Sequence, residues 1–383
     1  HTGTNNTAVG HYALTTAGAG NDNVAIGKDA LRSCTTAYYN TAVGIGALYT
    51  LTVGAAPWSG RSTAIGYHAG YALTTGYESV LIGYNAGAAK QVNNACTYVG
   101  FNAGAIETGL WGNTFIGAYA GGNCSTGNGM TFVGNSAGYN NTGGYNDAYG
   151  YHALQTNTGG LGNLAVGYSS MKYYNGNTGA DHYNTAIGSQ AFIDNYTLMN
   201  KCTGLGFQVS VSASNADNQI VIGYGTTGTA DNRIHIGNDT NHIYASFTSG
   251  TWGNSSDERM KRNIQDSTLG LSFINNIKTR TFEYKAPSEY PTEWDSYSPP
   301  TYTDEDDVVQ EQKTDPIDDK VHYGLIAQEI KQVLDDANIE DFEGWDVNPD
   351  GKQQVAKGMF IIPLIKAVQE LTARIEELEN GNN

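Results

Sequence analysis

The chain has 383 residues, enough for two or three domains, with 39% apolar residues, 49 glycines and 26 tyrosines; that mixture suits many short strands joined by tight turns rather than helical packing. Its formal net charge of −17 argues against nucleic acid or an anionic membrane as partner, and no apolar run approaches the roughly 18–20 residues that span a bilayer. Cys34, Cys96, Cys124 and Cys202 lie far apart with no CxxC and no Cys/His group, so the expectation is buried free thiols, no metal and no cofactor.

The charge is unevenly placed. Residues 1–250 hold seven Lys/Arg and ten Asp/Glu; residues 251–383 hold thirteen and twenty-seven. This composition break predicts a domain boundary near 250. Residues 1–250 are one repeat, seen in Asn6-Thr7-Ala8-Val9-Gly10, Asn40-Thr41-Ala42-Val43-Gly44 and Asn184-Thr185-Ala186-Ile187-Gly188. Marker glycines fall at 10, 27, 44, 66, 83, 100, 117, 134, 150, 167, 188, 206, 223 and 237, mostly 17 residues apart. A unit that short has no room for two helices and a turn, so the period predicts a solenoid of stacked strands. Within each unit Thr and Val/Ile point one way and Ala the other. The expectation is an interior row of Val9, Ile26, Val43, Ile65, Ile82, Val99, Ile116 and Val133, with the Ala face left open for a neighbouring chain. Glycine permits the corner, and Thr-Thr-Gly or Asn-Thr-Gly spacers close the next turn. The Asn-Thr-Ala-Val/Ile-Gly unit resembles the head repeat of trimeric autotransporter adhesins, which implies a parallel β-roll assembled as a homotrimer.

Aromatic residues gather near the marker glycines as Tyr67, Tyr84, Tyr119, Tyr151, Tyr168 and Tyr224. Such a row either stiffens the solenoid as a ladder, the preferred reading, or binds sugar rings. His235, in Ile234-His235-Ile236, is read as an ordinary histidine. The alternative is a metal ligand at a trimer axis.

At the boundary stands Ser255-Ser256-Asp257-Glu258-Arg259-Met260-Lys261-Arg262-Asn263-Ile264. It offers a hydroxyl nucleophile, Ser256, and a candidate base, Lys261. A serine hydroxyl is weak at its free pKa and needs a base beside it; a lysine amine serves once burial has stripped its proton. Taken alone, the stretch reads first as a solvated basic turn after a Ser-Ser linker.

Beyond it, Leu269–Ile277 predicts a short helix and Arg280–Tyr284 a strand. Residues 286–320 carry five prolines and eleven acidic residues against two lysines, which predicts a solvated loop. Tyr323–Ala337 predicts a helix with Ile326, Ile330, Val333 and Leu334 on one face, and Asp346–Gly351 a turn. The last helix, over 361–380, sets Ile361, Leu364, Val368, Leu371, Ile375 and Leu378 at alternating spacings of three and four, a coiled-coil seam.

Ser256-Asp257-x-Arg259-x-Lys261-x-Asn263-Ile264, then Phe282-Glu283-Tyr284, Tyr323-Gly324-Leu325-Ile326-Ala327-Gln328-Glu329 and Pro363–Leu371 resemble, in order, the endosialidase-type intramolecular chaperones at the C-termini of phage tail spikes and fibres. The resemblance covers about the last third of the chain. It implies a small α+β folding domain over 251–383 that trimerises the fibre. It further implies a cut between Ser255 and Ser256, with Ser256 as nucleophile and Lys261 as base. Asp257, Arg259 and Asn263 become supporting motif positions.

The combined expectation is a mainly β chain. A trimeric parallel β-solenoid rod over 1–250 is followed by a self-cleaving chaperone ending in a coiled-coil helix. The resemblance places it in a virion tail fibre assembled in the host cytoplasm. Its partners would be other tail proteins and a host surface receptor, a glycan or an outer-membrane component, and no nucleic acid. A polysaccharide-degrading tailspike is the enzyme alternative. It needs paired carboxylates, and the rod's ten are scattered with no two adjacent. A cellular trimeric adhesin is the other alternative.

Overall fold

The computed structural model describes all residues except 1–2, 17–19, 53–59, 90–94, 108–110, 177–181, 195, 249–251, 255–257, 295, 300, 304–308, 312–319 and 382–383. The chain divides into two compact units, 1–256 and 257–383, each described by itself.

The first unit is a β-solenoid of about twelve turns. Its strands are β1 Thr7–Val9, β2 Val24–Ile26, β3 Thr41–Val43, β4 Thr63–Ile65, β5 Val80–Ile82, β6 Thr97–Val99, β7 Thr114–Ile116, β8 Thr131–Val133, β9 Asp147–Tyr149, β10 Leu164–Val166, β11 Thr185–Ile187 and β12 Thr203–Leu205. Then come β13 Gln219–Tyr224, β14 Arg233–Asn238, β15 His242–Ser246 and β16 Trp252–Asn254. All sixteen form one sheet in sequence order. Pairing is parallel and in repeat register from β1 to β14, so Ala8 meets Ala25 and Ala25 meets Ala42. The bends are hydrogen-bonded between turns as well: Leu14 N–H donates to the Ala30 carbonyl at 2.9 Å and Leu31 N–H to that of Ala47 at 3.0 Å.

The period follows from the marker glycines. Gly10 has φ of +132° and Gly134 +136°, in the region L side chains rarely adopt. A Cβ on Gly10 would lie 2.6 Å from the Gly27 carbonyl oxygen, and one on Gly27 2.6 Å from that of Gly44. The column is backbone on backbone, with no volume for a side chain. Beside it runs a buried amide ladder. The backbone N–H and side-chain amide of Asn40 both donate to Asn23 Oδ1, at 3.0 and 2.9 Å, and Asn184 repeats this toward Asn163 at 3.0 Å each. Ladder bonds of this kind satisfy polar groups that burial would otherwise penalise. Cys202 occupies a ladder position, its N–H donating to Asn184 Oδ1 at 2.9 Å. All four cysteines are buried and free, and burial pushes the Cys202 thiol up to about 11.

The interior row is not the expected one. The buried strand residues are the central ones: Ala25, Ala42, Ala64, Leu81, Tyr98, Phe115, Phe132, Ala148, Ala165 and Ala186. Val9, Ile26, Ile65 and Ile116 are exposed, and Val43, Ile82, Val99 and Val133 half-buried. The larger β-branched residues therefore face outward. Alternation along the strand was read rightly and the face wrongly, because the bends also fill the interior. In most turns where the strand residue is Ala the bend supplies bulk, as in Ala25 with Leu31, Ala148 with Leu154 and Ala186 with Phe192, all buried; Ala64 has Gly70 instead, and the side chains of Leu48 and Leu81 from the adjoining turns stand against that glycine. Where the strand residue is large, the bend supplies glycine. A Cβ on Gly104 would lie 2.6 Å from the Tyr98 ring, on Gly121 2.6 Å from Phe115, and on Gly138 2.3 Å from Phe132. Large and small exchange sides while the filled volume stays nearly constant, as close packing demands. The three rings stack with centroids 4.7 and 4.9 Å apart, and the Tyr98 hydroxyl donates to buried Glu107 at 2.7 Å.

In the second unit, β17 Arg280–Phe282 pairs antiparallel with β20 His322–Gly324, β18 Thr301–Thr303 with β19 Val309–Glu311, and β21 Trp345–Val347 with β22 Gln353–Val355. Helices α1 Leu271–Asn276, α2 Ala327–Asp336 and α3 Ile361–Gly381 complete it. Phe273, Ile330, Leu334 and Phe360 form the core, with Ile277, Val333, Phe342 and Trp345 packed around it. Three expectations are corrected. The helix expected from Tyr323 begins at Ala327, because Tyr323 and Gly324 are committed to the β17–β20 ribbon. The acidic stretch 286–320 is not loop throughout: it contains the β18–β19 hairpin, while its residues 295, 300, 304–308 and 312–319 lie outside the described ones. The turn expected over Asp346–Gly351 is the bend of the β21–β22 hairpin.

Exchange of bulk between strand and bend is testable. Phe132→Ala should cost about 3–5 kcal/mol in rod unfolding. Adding Gly138→Leu, which recreates the Ala148–Leu154 pairing, should recover more than half. Urea unfolding of the single and double variants reads this; a double variant no more stable than Phe132→Ala removes the complementarity.

Candidate functional site

The parallel stack ends in an antiparallel ribbon. β15 runs back along β14, pairing Tyr244 with His235, and β16 returns along β15, pairing Trp252 with Ala245 and Asn254 with Ile243. β16 stops at Asn254. Ser255, Ser256 and Asp257, the expected cut and nucleophile, lie outside the described residues. The chain resumes in a single 3₁₀ turn, Glu258–Met260, closed by Lys261 N–H donating to the Glu258 carbonyl at 2.9 Å. Arg259 and Lys261 are exposed, and Asn263 takes a left-handed φ of +53°. The turn thus fixes the backbone of Lys261 relative to Glu258. The pairing of Ser256 with Lys261 is not among the described contacts. Among the described residues no cluster of three or more His, Cys, Asp or Glu is arranged to hold a metal ion.

The other motif residues converge. Pairing of β17 with β20 sets Arg280 opposite Gly324 and Phe282 opposite His322. A Cβ on Gly324 would lie 3.1 Å from the Phe282 ring, so this glycine lets strand and ring close up. Arg280 grips Glu329 on α2 with Nε at 3.0 Å and Nη2 at 2.6 Å, and that guanidinium holds the Glu329 carboxyl below its usual range. Glu370 of α3 accepts the Leu271 N–H at 2.8 Å, an anion on the first N–H of α1. Sequence reasoning missed both contacts. The available signals were charge complementarity of Arg280 and Glu329 and an acidic residue interrupting the apolar run of α3.

Helix α3 buries Pro363 and Ala367 and leaves its seam bare. Ile361, Leu364, Val368, Leu371, Ile375 and Leu378 are 44–68% exposed, so the six residues expected to pair with another helix are uncovered within one chain.

Against known families, residues 256–339 match the family described as chaperone of endosialidase. The match opens at Ser256 and takes in the 3₁₀ turn, α1, the β17–β20 ribbon and α2; the rod and α3 lie outside it. No curated protein and no solved structure matches the chain.

His235 ends the interior row of the rod, directly after Val221 in register. It is fully buried. Its Nε2 accepts the Thr229 N–H at 3.2 Å, and its Nδ1 has no partner. Burial, then His242, then Arg233 push its pKa down to about 4. The unfolded chain therefore takes up this proton first as pH falls. Stability is full above about pH 6.5 and declines toward pH 4, by up to roughly 3 kcal/mol per chain. His235→Val, which repeats the residue of the preceding turn, should flatten that part of the urea-stability profile. Parallel profiles for variant and parent over pH 6.5 to 4 would mean that His235 is not the group responsible.

Proposed function

We propose that the chain is a trimeric fibre protein of a virion tail whose C-terminal unit assembles the rod and then cuts itself free between Ser255 and Ser256. One observation carries this reading: the chaperone-family match begins at Ser256, two residues beyond the last strand of the rod. The residue that opens the family segment thus carries a hydroxyl nucleophile.

The chemistry balances as an acyl shift followed by hydrolysis. Ser256 Oγ adds to the Ser255 carbonyl carbon while the Lys261 amine takes the hydroxyl proton. The C–N bond breaks, the proton passes to the departing Ser256 amine, and an ester joins the two units. Water cleaves the ester, leaving a carboxylate on Ser255 and the hydroxyl on Ser256. Lys261 is exposed within one chain, whereas a lysine base works where burial disfavours its charged form. Its covering on trimer closure would make it a base, so cleavage follows correct assembly. Asp257, Arg259 and Asn263 shape the loop around the pair.

Trimerisation is supported by two uncovered apolar features. The rod's outward Val/Ile column is exposed or half-buried, and the α3 seam is exposed, among the described residues. Buried against two further copies, the column supplies the burial that a thin single-chain solenoid lacks. Attachment to other tail proteins and to a host surface receptor completes the reading.

Two measurements test it. The parent chain should yield two fragments by mass, the second starting at Ser256. Ser256→Ala, Lys261→Ala and Lys261→Arg should each stay full length yet trimeric, since guanidinium keeps its proton. A fragment starting at 256 from Ser256→Ala excludes this nucleophile. Separately, Val368→Asp with Leu371→Asp should prevent trimers from forming in the uncleaved chain by light scattering; a trimer that survives removes the seam from the assembly.

A further inference from the structure

The exposed aromatic residues of the rod are of two kinds. Tyr67, Tyr84 and Phe101 stack ring on ring, with centroids 5.0 and 5.1 Å apart and planes within 13°. Their faces cover one another, so this ladder stiffens the wall and offers little to a ligand. Tyr173 stands apart. It is 45% exposed and has no ring neighbour among the described residues. The ammonium of Lys172 lies 4.8 Å from its centroid. It lines a concavity of the rod.

That concavity is a groove of about 630 Å³ built on the spacers, away from the Val/Ile column. Two files of side chains line it, one residue per turn. Seven residues after the last strand residue of each turn come Ile106, Asn123, Asn140, Thr156 and Tyr173; nine residues after come Ser125, Thr142, Thr158 and Asn175. Neighbouring turns hold these side chains in place. Asn123 donates to Asn140 Oδ1 at 2.6 Å, Thr156 to the Lys172 carbonyl at 2.9 Å, and Thr158 to the Asn175 amide oxygen. A carboxamide has two donors and two acceptor sites, so the bond from Asn123 leaves both amides with further capacity. No lining residue carries a charge.

The ligand class follows by elimination. No carboxylate lines the groove, and the ammonium beside it, that of Lys172, rests on the Tyr173 ring and leaves the other ring face to a ligand; nothing in the lining itself selects a charged one. Eight of the nine lining residues carry an amide or hydroxyl, with Ile106 the exception, so polar groups and apolar surface alternate along the groove, as they do on a sugar and not on a lipid chain. We propose that it binds an uncharged, extended glycan lying along the rod, hydroxyls on the Asn/Thr files and one sugar face on Tyr173. Sugar rings have that division between polar edge and apolar face. The files repeat at the strand spacing of about 4.8 Å, close to the length of one sugar unit, so successive units meet successive turns. The proposal deepens the attachment reading and rests on it for its setting.

The test uses the matured full chain. The probes are maltohexaose, cellohexaose, mannohexaose, chitohexaose and a neutral galactan hexamer, with oligogalacturonate as the anionic counterpart, by saturation-transfer NMR followed by calorimetry. At least one neutral hexamer should bind. Asn140→Ala and Tyr173→Ala should each weaken it about tenfold or more, with melting unchanged, and Tyr84→Ala should leave it intact. Binding by none of the neutral hexamers overturns the proposal. So does binding that survives both groove substitutions, or preference for the anionic oligomer. Cleavage is read by mass on the same samples, so a rod that matures but takes no sugar overturns this proposal alone.

Discussion

The rod depends on contact between glycine backbones in successive turns. At Gly44 a Cβ would lie 2.3 Å from the Gly66 carbonyl oxygen, and at Gly100 2.4 Å from that of Gly117. The turns approach so closely at this corner that the chain has no alternative residue, and the positive φ excludes L side chains independently. Everything else accommodates that approach. The ladder position before each strand, Asn in many turns and Ser, Cys or Met in others, sets the strands at the same height, three-residue strands follow, and the bends close each turn through hydrogen bonds to turns above and below. Insertions such as that between Gly44 and Gly66 occur in spacers, away from the corner.

This construction has a weakness that explains the need for a separate folding unit. Within one chain, register is covalent: each turn follows the last, and the change from Ala64 through Leu81, Tyr98 and Phe132 to Ala148 gives each interior layer its own fit. Between chains no such label exists. The outward faces repeat Thr and Val/Ile almost unchanged, so copies shifted by one whole turn would present nearly the same surface to one another. Stability from a repeating interface thus does not by itself specify alignment. A clamp at one end does, since it fixes the last turns of all copies at equal height and raises their effective concentration. The bare seam of α3, anchored to its own unit through Ala367 and Glu370, suits that role.

The period, the solenoid and the seam were legible because each rests on a rule that acts locally: glycine at a forced corner, apolar residues at helical spacing. The interior face was not. Size alone placed Val9 and Ile26 inside, but the inside is shared between strand and bend, and Leu31 or Phe192 enters from a bend that strand alternation ignores. The pairs Ala25–Leu31 and Phe132–Gly138 lie six residues apart, so the exchange was present in the sequence as a correlation rather than as a pattern in either position. Tyr323 failed for a related reason. Its run has helical spacing, yet Gly324 fits against Phe282 only in a strand, and that partner lies more than forty residues away. Arg280 with Glu329 is likewise long-range. At the junction, the sequence supplied residue types in order, but geometry for Ser256 would have to come from contacts that no local rule predicts.

The proposed position of the cut has its own physical logic. β16 is the last strand of the sheet, and an exposed edge invites further pairing. A cut upstream of Trp252 would strip β16 from β15 and expose the longer strand as the new edge. A cut between Ser255 and Ser256 leaves β16 with the rod, so a three-residue strand ends the sheet and the long β14–β15 ribbon stays covered. Short edges are poor templates for addition. The interior row closes on His235, whose polar ring ends the apolar column next to that ribbon. On this reading the rod carries its own cap before the chaperone leaves, and the proposed nucleophile stands two residues past the last described strand pair, where cleavage costs the sheet none of them.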